Sequence, residues 1–222
     1  MNILVINGSP KNERSDTLQL TRAFLEGMGE TAEILHTMQA NVRPCLGCFS
    51  CWFKTPGQCI QKDDMSGIIE RYLAADLVIW SLPLYCYGAP SQCKAVIDRL
   101  LPLNSPEMYA DQNGHTHHPC SRKLNMKSLL ISGCGFPDLE NNFEGLRFQF
   151  KRMFGEMPMI FCTEAPLMGI AEAAPVARVR LELFRKAGRE YKETGGLSAP
   201  MQAALDAPMI PPEQYRAASS KK

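Results

Sequence analysis

The sequence predicts a three-layer α/β/α domain built on a five-stranded parallel sheet. Short apolar runs recur along the chain and alternate with longer segments whose apolar residues repeat at helical spacing. Polar or glycine-containing loops follow these runs, as at Asn7-Gly8 after residues 3–6. Strands that are buried on both faces read as continuous apolar runs, so this alternation indicates a parallel sheet with helices on both sides.

Five strands and five main helices are expected in alternation. The apolar runs place strands at residues 3–6, 32–36, 77–80, 128–131 and 159–162. The helical repeats place helices at residues 18–28, 65–73, 93–101, 143–154 and 175–191. We expect the first helix to break near Gly27 and Gly29. In a sheet of this type, ligand-binding loops gather beyond the carboxyl ends of the strands.

The loop after the first strand, residues 8–17, has the composition of an anion site. Such a loop turns free backbone N–H groups and the positive end of a helix dipole toward the end of the strand. Glu13 stands where a nucleotide P-loop requires glycine, and Gly8 alone does not make a three-glycine dinucleotide pattern. The ligand expected in this loop is therefore a monoester phosphate. The alternative is that the segment is simply the strand, turn and helix with which many α/β proteins begin.

A phosphate in this loop would be held by hydroxyl and N–H donors. Lys11 or Arg14 is the expected charge partner, although both could equally be solvated. Five strands with this loop after the first favour the flavodoxin-like strand order 2-1-3-4-5, whose ligand lies beyond strands one and three. The residues expected near the phosphate are Ser9, Lys11, Ser15, Asp16 and Thr17.

Two further loops are expected at the same site because they follow neighbouring strands. The loop at residues 83–88 is apolar and aromatic, which favours a flat aromatic ligand; its tyrosines would otherwise pack at a subunit interface. Glycines in the loop at residues 133–136 allow close backbone approach from the other side. The residues expected around this ligand are Pro83, Leu84, Tyr85, Cys86, Tyr87, Gly88, Gly133, Cys134, Gly135 and Phe136.

Four of the nine cysteines lie close together, at positions 45, 48, 51 and 59. The spacing Cys45-x2-Cys48-x2-Cys51-x7-Cys59 is typical of ligands to a [4Fe–4S] cluster, because successive x2 intervals can wrap three corners of the cube. Zinc sites more often show two separated C-x2-C pairs. The alternative is a group of free thiols packed near the ligand.

Two other patterns share residue types and spacing with reactive motifs but not the expected structural setting. Cys93-x5-Arg99 has the spacing of a tyrosine-phosphatase nucleophile, but it falls in a predicted helix rather than a glycine-rich loop. His115, His117, His118 and Cys120 could bind a metal, yet histidines in a polar loop are more often exposed or at an interface.

Composition favours one globular domain without a nucleic-acid or membrane partner. The chain has 222 residues, 45% hydrophobic and 21% charged, with a net charge of +1. Because no apolar run is long enough to span a membrane and the start carries no basic leader, we expect a cytoplasmic protein. The expected domain is 1–195. The tail, 196–222, is rich in Pro and Ala and is expected to pack on a neighbouring subunit or to be loose, while the polar segment 104–125 is expected to be a lid or a subunit contact.

Taken together, these segments resemble the NAD(P)H-dependent FMN reductase family of flavodoxin-like proteins and, within it, the iron–sulfur flavoproteins. The resemblance extends from residue 1 to about 165. The segments that carry it are Asn7-Gly8-Ser9-Pro10, Ser15-Asp16-Thr17, residues 76–79 with Pro83-Leu84-Tyr85, residues 92–99, the four cysteines, and Asp63-Asp64-Met65.

This resemblance implies FMN, with its phosphate on the first loop, its ring against the loops after strands three and four, and NAD(P)H as cosubstrate. It implies electron transfer to a quinone, nitro, azo or similar acceptor, and a homodimer or homotetramer. Because the flavin performs the chemistry, no catalytic side chain is expected. The alternative is an electron-transfer iron–sulfur flavoprotein that carries FMN and a [4Fe–4S] cluster and exchanges electrons with a redox protein.

Overall fold

A five-stranded parallel sheet forms the centre of the domain. The computed structural model describes residues 1–120 and 126–219. The strands of this sheet are β1 (Ile3–Asn7), β2 (Glu33–His36), β3 (Leu77–Pro83), β4 (Lys127–Gly133) and β5 (Met159–Cys162). Their order is β2-β1-β3-β4-β5, which confirms the flavodoxin-like 2-1-3-4-5 arrangement.

Helices cover both faces of the sheet and divide the core in two. They are α1 (Asp16–Met28), α2 (Ser50–Phe53), α3 (Met65–Ala74), α4 (Ser91–Asp98), α5 (Glu144–Phe154) and α6 (Ala174–Thr194). Side chains alternate along β1: Ile3 and Val5 pack with α1 and α6, whereas Leu4 and Ile6 pack with α3, α4 and α5. This confirms the three-layer α/β/α class.

The first helix ends at Met28, between the two glycines, which confirms the predicted end near Gly27 and Gly29. Gly29 caps the helix with a left-handed φ of 67°. Gly27 permits close packing of α1 on α6, because a Cβ at this position would lie 2.0 Å from the carbonyl oxygen of Arg185. The glycine reflects a tertiary contact and not a turn.

The C-terminal segment packs on its own chain beside β5, an edge strand of the sheet. It forms α7 (Ala199–Asp206) and α8 (Pro212–Ser219), each with proline in its first turn. Leu205 and Tyr215 are buried. The expectation of a loose segment is therefore wrong over residues 199–219, while contact with a neighbouring subunit stays a prediction. Residues 220–222 lie outside the described part of the chain.

Two buried charged side chains hold this segment through backbone atoms. The guanidinium of Arg180 donates to the carbonyl oxygens of Leu205, at 2.7 Å, and Ala207. The Oε2 atom of Glu164 accepts the N–H groups of Met209 and Ile210 at 2.5 and 3.2 Å. The Oε1 atom of Glu164 is buried without a partner among the described residues, and burial raises the pKa of this carboxyl.

The segment at 104–125 contains a short antiparallel hairpin, residues 109–110 with 116–117, that the sequence analysis did not predict. Arg152, near the end of α5, donates to the carbonyl oxygen of Thr116 at 3.1 Å. Because α5 begins near the carboxyl ends of the strands and runs back, the hairpin lies toward their amino ends. It therefore does not cover the loops that were expected to bind ligand. Residues 121–125 lie outside the described part of the chain.

Candidate functional site

Four loops meet beyond the carboxyl ends of the strands and line a cavity of about 140 Å³. They follow β1, β3, β4 and β5, so the cavity lies at the switch point of the sheet. The predicted residues that line it are Ser9, Lys11, Ser15, Asp16, Thr17, Pro83, Leu84, Tyr85, Gly133, Cys134 and Gly135. Ala165 and Pro166, from the loop after β5, also line it but were not predicted. The parallel-sheet rule could have identified them, because β5 ends at the same edge.

The other predicted residues, Cys86, Tyr87, Gly88 and Phe136, do not line this cavity but follow residues that do. The rings of Tyr87 and Phe136 are almost parallel, with centroids 6.4 Å apart and an interplanar angle of 5°. The two residues are 57% and 49% exposed. We call them the aromatic pair, and they present two flat apolar surfaces to solvent beside the cavity.

The turn that carries Tyr87 has an uncommon backbone conformation. Tyr85 and Gly88 exchange backbone hydrogen bonds of 3.0 and 2.9 Å, and between them Cys86 and Tyr87 have φ angles of 47° and 62°. Two successive left-handed residues define a type I′ turn, which favours Asn-Gly. Cys86 and Tyr87 therefore hold a backbone conformation that is costly for their side chains.

The start of α1 offers backbone donors to the cavity. Ser15 caps the helix, since its hydroxyl accepts the N–H of Leu18 at 3.1 Å. The N–H groups of Asp16 and Thr17 occupy the first helical positions, where no intrahelical acceptor exists, and they have no acceptor among the described residues. Both residues line the cavity, so this helix end can receive an anion.

Two charged side chains of the first loop, Lys11 and Glu13, are paired within the chain. The Lys11 ammonium lies 2.6 Å from the Asp16 carboxylate. Glu13 contacts Arg22 and accepts from the Nε2 atom of His36 at 2.7 Å, and its hydrogen bond to Arg22, followed by that to His36, lowers its pKa. The His36 bond ties the loop to the end of β2.

Gly133 provides space that any side chain would occupy. A Cβ at this position would lie 2.7 Å from the Cβ of Ala165 and 3.2 Å from the Oγ1 of Thr17. At Gly135 the nearest atom would be 3.8 Å away, an ordinary contact. The close approach at Gly133 keeps the loops after β1, β4 and β5 together around the cavity, which fits the predicted role of a phosphate and ribityl site.

The four clustered cysteines line a second, smaller cavity of about 20 Å³ at the end of α4. Cys45 and Cys48 are exposed, Cys59 is half-buried and Cys51 is buried. Within residues 1–120 and 126–219, no three His, Cys, Asp or Glu side chains are arranged to hold a metal ion. The thiols therefore share a cavity without forming a mononuclear metal centre.

A buried ion pair closes the loop that carries these cysteines. Arg99, 1% exposed, donates through Nη1 and Nη2 to the two carboxylate oxygens of Asp63, both at 2.9 Å, and through Nη1 to the carbonyl oxygen of Arg43 at 2.8 Å. Burial would raise the pKa of Asp63, but Arg99 and the N–H groups of Arg43 and Met65 outweigh it and hold the pKa at about 2. Both ends of the cysteine loop are thereby fixed to α4.

The remaining candidate motifs are structural. Cys93 is fully buried in α4, and burial raises the pKa of its thiol to about 12, so it is unsuited to nucleophilic attack. His117 lies 3.0 Å from Asp111, and His118 contacts the carbonyl oxygen of Glu107 at 2.8 Å. These contacts place the histidines in the hairpin segment and not around a metal ion.

Comparisons with known proteins relate the chain to a family of FMN reductases. The family model described as NADPH-dependent FMN reductase matches residues 1–115. An iron–sulfur flavoprotein of Archaeoglobus fulgidus is 34% identical over 101 residues, which cover 45% of this chain and 48% of that protein. An FMN-dependent NADH:quinone oxidoreductase of Bradyrhizobium sp. is 47% identical over 80 residues, 35% of this chain and 37% of that protein. The chain thus spans about half or less of these curated relatives.

Solved structures share the fold at low sequence identity. An FMN-dependent NADH-azoreductase from Bacillus anthracis, in complex with FMN, gives a TM-score of 0.61 at 18% identity, covering 86% of this chain and all of that one. An NAD(P)H:quinone oxidoreductase from Methanothermobacter marburgensis also gives 0.61, at 17% identity, with 85% and 98% covered.

The strand order and the cavity at the switch point of the sheet define a flavodoxin-like fold. Together with the family match, they show that the chain belongs to the NADPH-dependent FMN reductase family. The resemblance inferred from the sequence is confirmed. Among the described residues, none of the helices combines the length and apolar character that a membrane crossing requires.

Proposed function

We propose that this chain is an FMN-dependent oxidoreductase that takes electrons from NAD(P)H and passes them to a small flat acceptor such as a quinone, nitro or azo compound. The observation that carries the proposal is the single cavity at which four loops bring hydroxyls, free N–H groups and exposed aromatic rings together. The family match supports FMN as the cofactor. The names of the quinone and azo reductases among its relatives support the acceptor class.

In this proposal the first loop holds the FMN phosphate. The N–H groups of Asp16 and Thr17 and the hydroxyls of Ser9, Ser15 and Thr17 would donate to phosphate oxygens, and Lys11 would supply the charge. The glycines at 133 and 135 would let the backbone approach the ribityl chain. These assignments use residues that line the cavity.

The ring would extend from the cavity toward the turn at 83–88 and the aromatic pair. Bound FMN supplies hydride acceptance and release, and the protein's part is to bind and orient both reactants and to limit access of water. The exposed faces of Tyr87 and Phe136 are suited to a flat acceptor or a nicotinamide. Their exposure also supports assembly as a homodimer or homotetramer, in which a second subunit would cover them.

The test is anaerobic reduction of FMN-loaded protein. We expect the purified chain to bind FMN one to one, NADH or NADPH to bleach the flavin, and a quinone or azo dye to restore its colour. Thr17→Val should weaken FMN binding about tenfold because a donor hydroxyl is lost, while the surface control Thr194→Val should not. A chain that binds no FMN contradicts the proposal, as does bound flavin that neither nucleotide reduces.

A second candidate is an electron-transfer iron–sulfur flavoprotein that carries FMN and a [4Fe–4S] cluster. The observation that favours it is the shared cavity of Cys45, Cys48, Cys51 and Cys59. A cluster binds each cysteine at a different iron, so its ligands stand farther apart than those of one metal ion. Reduction by a redox protein but by neither nicotinamide nucleotide, together with about four irons and four sulfides per chain, would favour this candidate.

A further inference from the structure

The cavity of the four cysteines has one cationic residue among those that line it, Arg99. This guanidinium is fully enclosed, and Nη1 and Nη2 are occupied by Asp63 and by the carbonyl oxygen of Arg43. Its third nitrogen, Nε, is buried and has no nitrogen or oxygen acceptor among the described residues. The residue therefore keeps one donor in reserve beside the thiols.

An unused buried donor is costly to maintain. Leaving one N–H without an acceptor costs about 1–3 kcal/mol, and most buried donors in native proteins are paired. The Cys59 side chain forms a hydrogen bond with the same guanidinium, but the sulfur of a neutral thiol is a weak acceptor. The Nε–H of Arg99 and the thiols therefore share one electrostatic environment, and an anion bound by the thiolates in the cavity would accept a hydrogen bond from this N–H.

The charges around the cavity show what Arg99 contributes. Asp98 also lines the cavity, but its carboxylate pairs with Lys94 at 2.6 Å on the surface. Asp63 is satisfied by Arg99 and by two backbone N–H groups. Four cysteine thiolates would bring four negative charges, and Arg99 is the positive group placed to offset them.

We propose that Arg99 donates its Nε–H to a thiolate-ligated iron–sulfur group in this cavity and thereby raises the group's reduction potential. The inference rests on the iron–sulfur candidate described above and adds a residue outside the cysteine set. A hydrogen bond to the sulfurs stabilises the more negative, reduced form, so its presence favours reduction. The Asp63 pair holds the guanidinium in the orientation that this bond needs.

The variant that isolates this bond is Arg99→Lys. It keeps a positive charge that can reach Asp63, but it removes the Nε–H donor. Arg185→Lys on α6, on the other face of the sheet, is the matched control. Each chain is loaded anaerobically with ferrous and ferric iron and sulfide. Iron and sulfide per chain, FMN affinity and the reduction midpoint of the visible iron–sulfur absorbance are then measured.

We expect Arg99→Lys to lower the reduction midpoint by at least about 59 mV for a one-electron couple, which corresponds to a tenfold shift from the reduced toward the oxidised form. FMN affinity should not change. Loss of iron loading with FMN affinity intact would overturn the proposal, because a weakened Asp63 pair that no longer fixes the cysteine loop would explain that loss by itself. An unchanged midpoint with full loading would overturn it, and so would loss of both iron and FMN binding, which would mark Arg99 as structural.

Failure of the iron–sulfur candidate itself would give a different result in the same measurements. Wild-type chain that binds FMN but takes up neither iron nor sulfide would overturn the iron–sulfur candidate and this inference together. The FMN-dependent reductase proposal would stand unaffected in that case.

Discussion

The Asp16 carboxylate lies 2.6 Å from the Lys11 ammonium, within the loop proposed to hold the FMN phosphate. The side chain of Asp16 is 13% exposed and that of Lys11 is 55% exposed, so the acid is the more enclosed partner. Among the residues that the structure describes, Lys11 is the one cation that lines the cavity, and it is paired with an acid from the same loop. A phosphate that binds there competes with Asp16 for Lys11.

We therefore expect Asp16→Asn to strengthen FMN binding at least fivefold. Two like charges about 5 Å apart near a protein surface repel each other by roughly 1–3 kcal/mol, and the substitution removes one of them. Fluorescence titration with FMN at low and high salt measures the change, which should shrink as salt screens the repulsion. Glu26→Gln, at the other end of the same helix, is the control and should bind FMN as wild type does. Equal or weaker FMN binding by the Asp16 variant would show that the carboxylate does not oppose the phosphate.

A matched pair of glycine substitutions tests the cavity itself. Gly133→Ala should lower FMN affinity at least tenfold, because its Cβ would lie 2.7 Å from that of Ala165 and push the loops apart. Gly135→Ala should change it less than threefold, since its Cβ meets nothing closer than 3.8 Å. FMN titration and thermal unfolding of both variants separate binding from stability. Similar FMN affinities for the two variants would place the cofactor elsewhere.

The type I′ turn predicts opposite effects of two substitutions at one position. Cys86→Asn should stabilise the fold by about 0.5–1 kcal/mol, because asparagine tolerates the left-handed conformation that Cys86 holds at φ 47°. Cys86→Val should destabilise it by about 1 kcal/mol or more, since β-branched side chains rarely adopt this conformation. Urea unfolding gives both values. Equal stabilities would mean that the turn relaxes without cost.

Glu164 predicts a dependence of stability on pH. Its pKa in the folded chain is raised by burial, so the folded state holds a proton that the unfolded chain has already lost above pH 4.5. The contribution of this group to stability is therefore present below pH 4.5 and falls as the pH rises toward its folded pKa. Glu164→Gln removes this titration, so its unfolding free energy minus that of wild type should increase from pH 4 to pH 7. Glu172→Gln, at an exposed position, should show no such trend. A constant difference for Glu164→Gln would show that the carboxyl stays charged.

The sheet and most of the cavity could be predicted from the sequence because both follow from local pattern. Strands buried on two faces read as apolar runs, and parallel strands bring their following loops to one edge. Eleven of the residues expected around the flavin line one cavity for this reason. The four cysteines share a cavity because their spacing keeps them on one loop.

The features that local sequence patterns do not predict depend on contacts between distant segments. The sequence correctly indicates a helix end near Gly27, but the close packing that requires glycine there is set by Arg185 on another helix. The local sequence pattern relates Arg99 to Cys93 alone, because Asp63, which pairs with Arg99, lies 36 residues earlier in the chain. The helices of the tail form where Leu205 and Tyr215 are buried against the rest of the domain. No local repeat in the sequence predicts this packing.

The attachment of the tail has a consequence for how this protein can evolve. Among the described residues, Arg180 and Glu164 bond to backbone carbonyl oxygens and N–H groups of residues 205–210, which every amino acid presents in the same form except that proline has no N–H. Mutations along this stretch can therefore accumulate without releasing it, provided that an apolar side chain remains at Leu205. The covering of the sheet edge beside β5 therefore depends on two anchor residues in the body of the domain and on the buried Leu205 and Tyr215, while exposed positions of the tail are free to change in sequence.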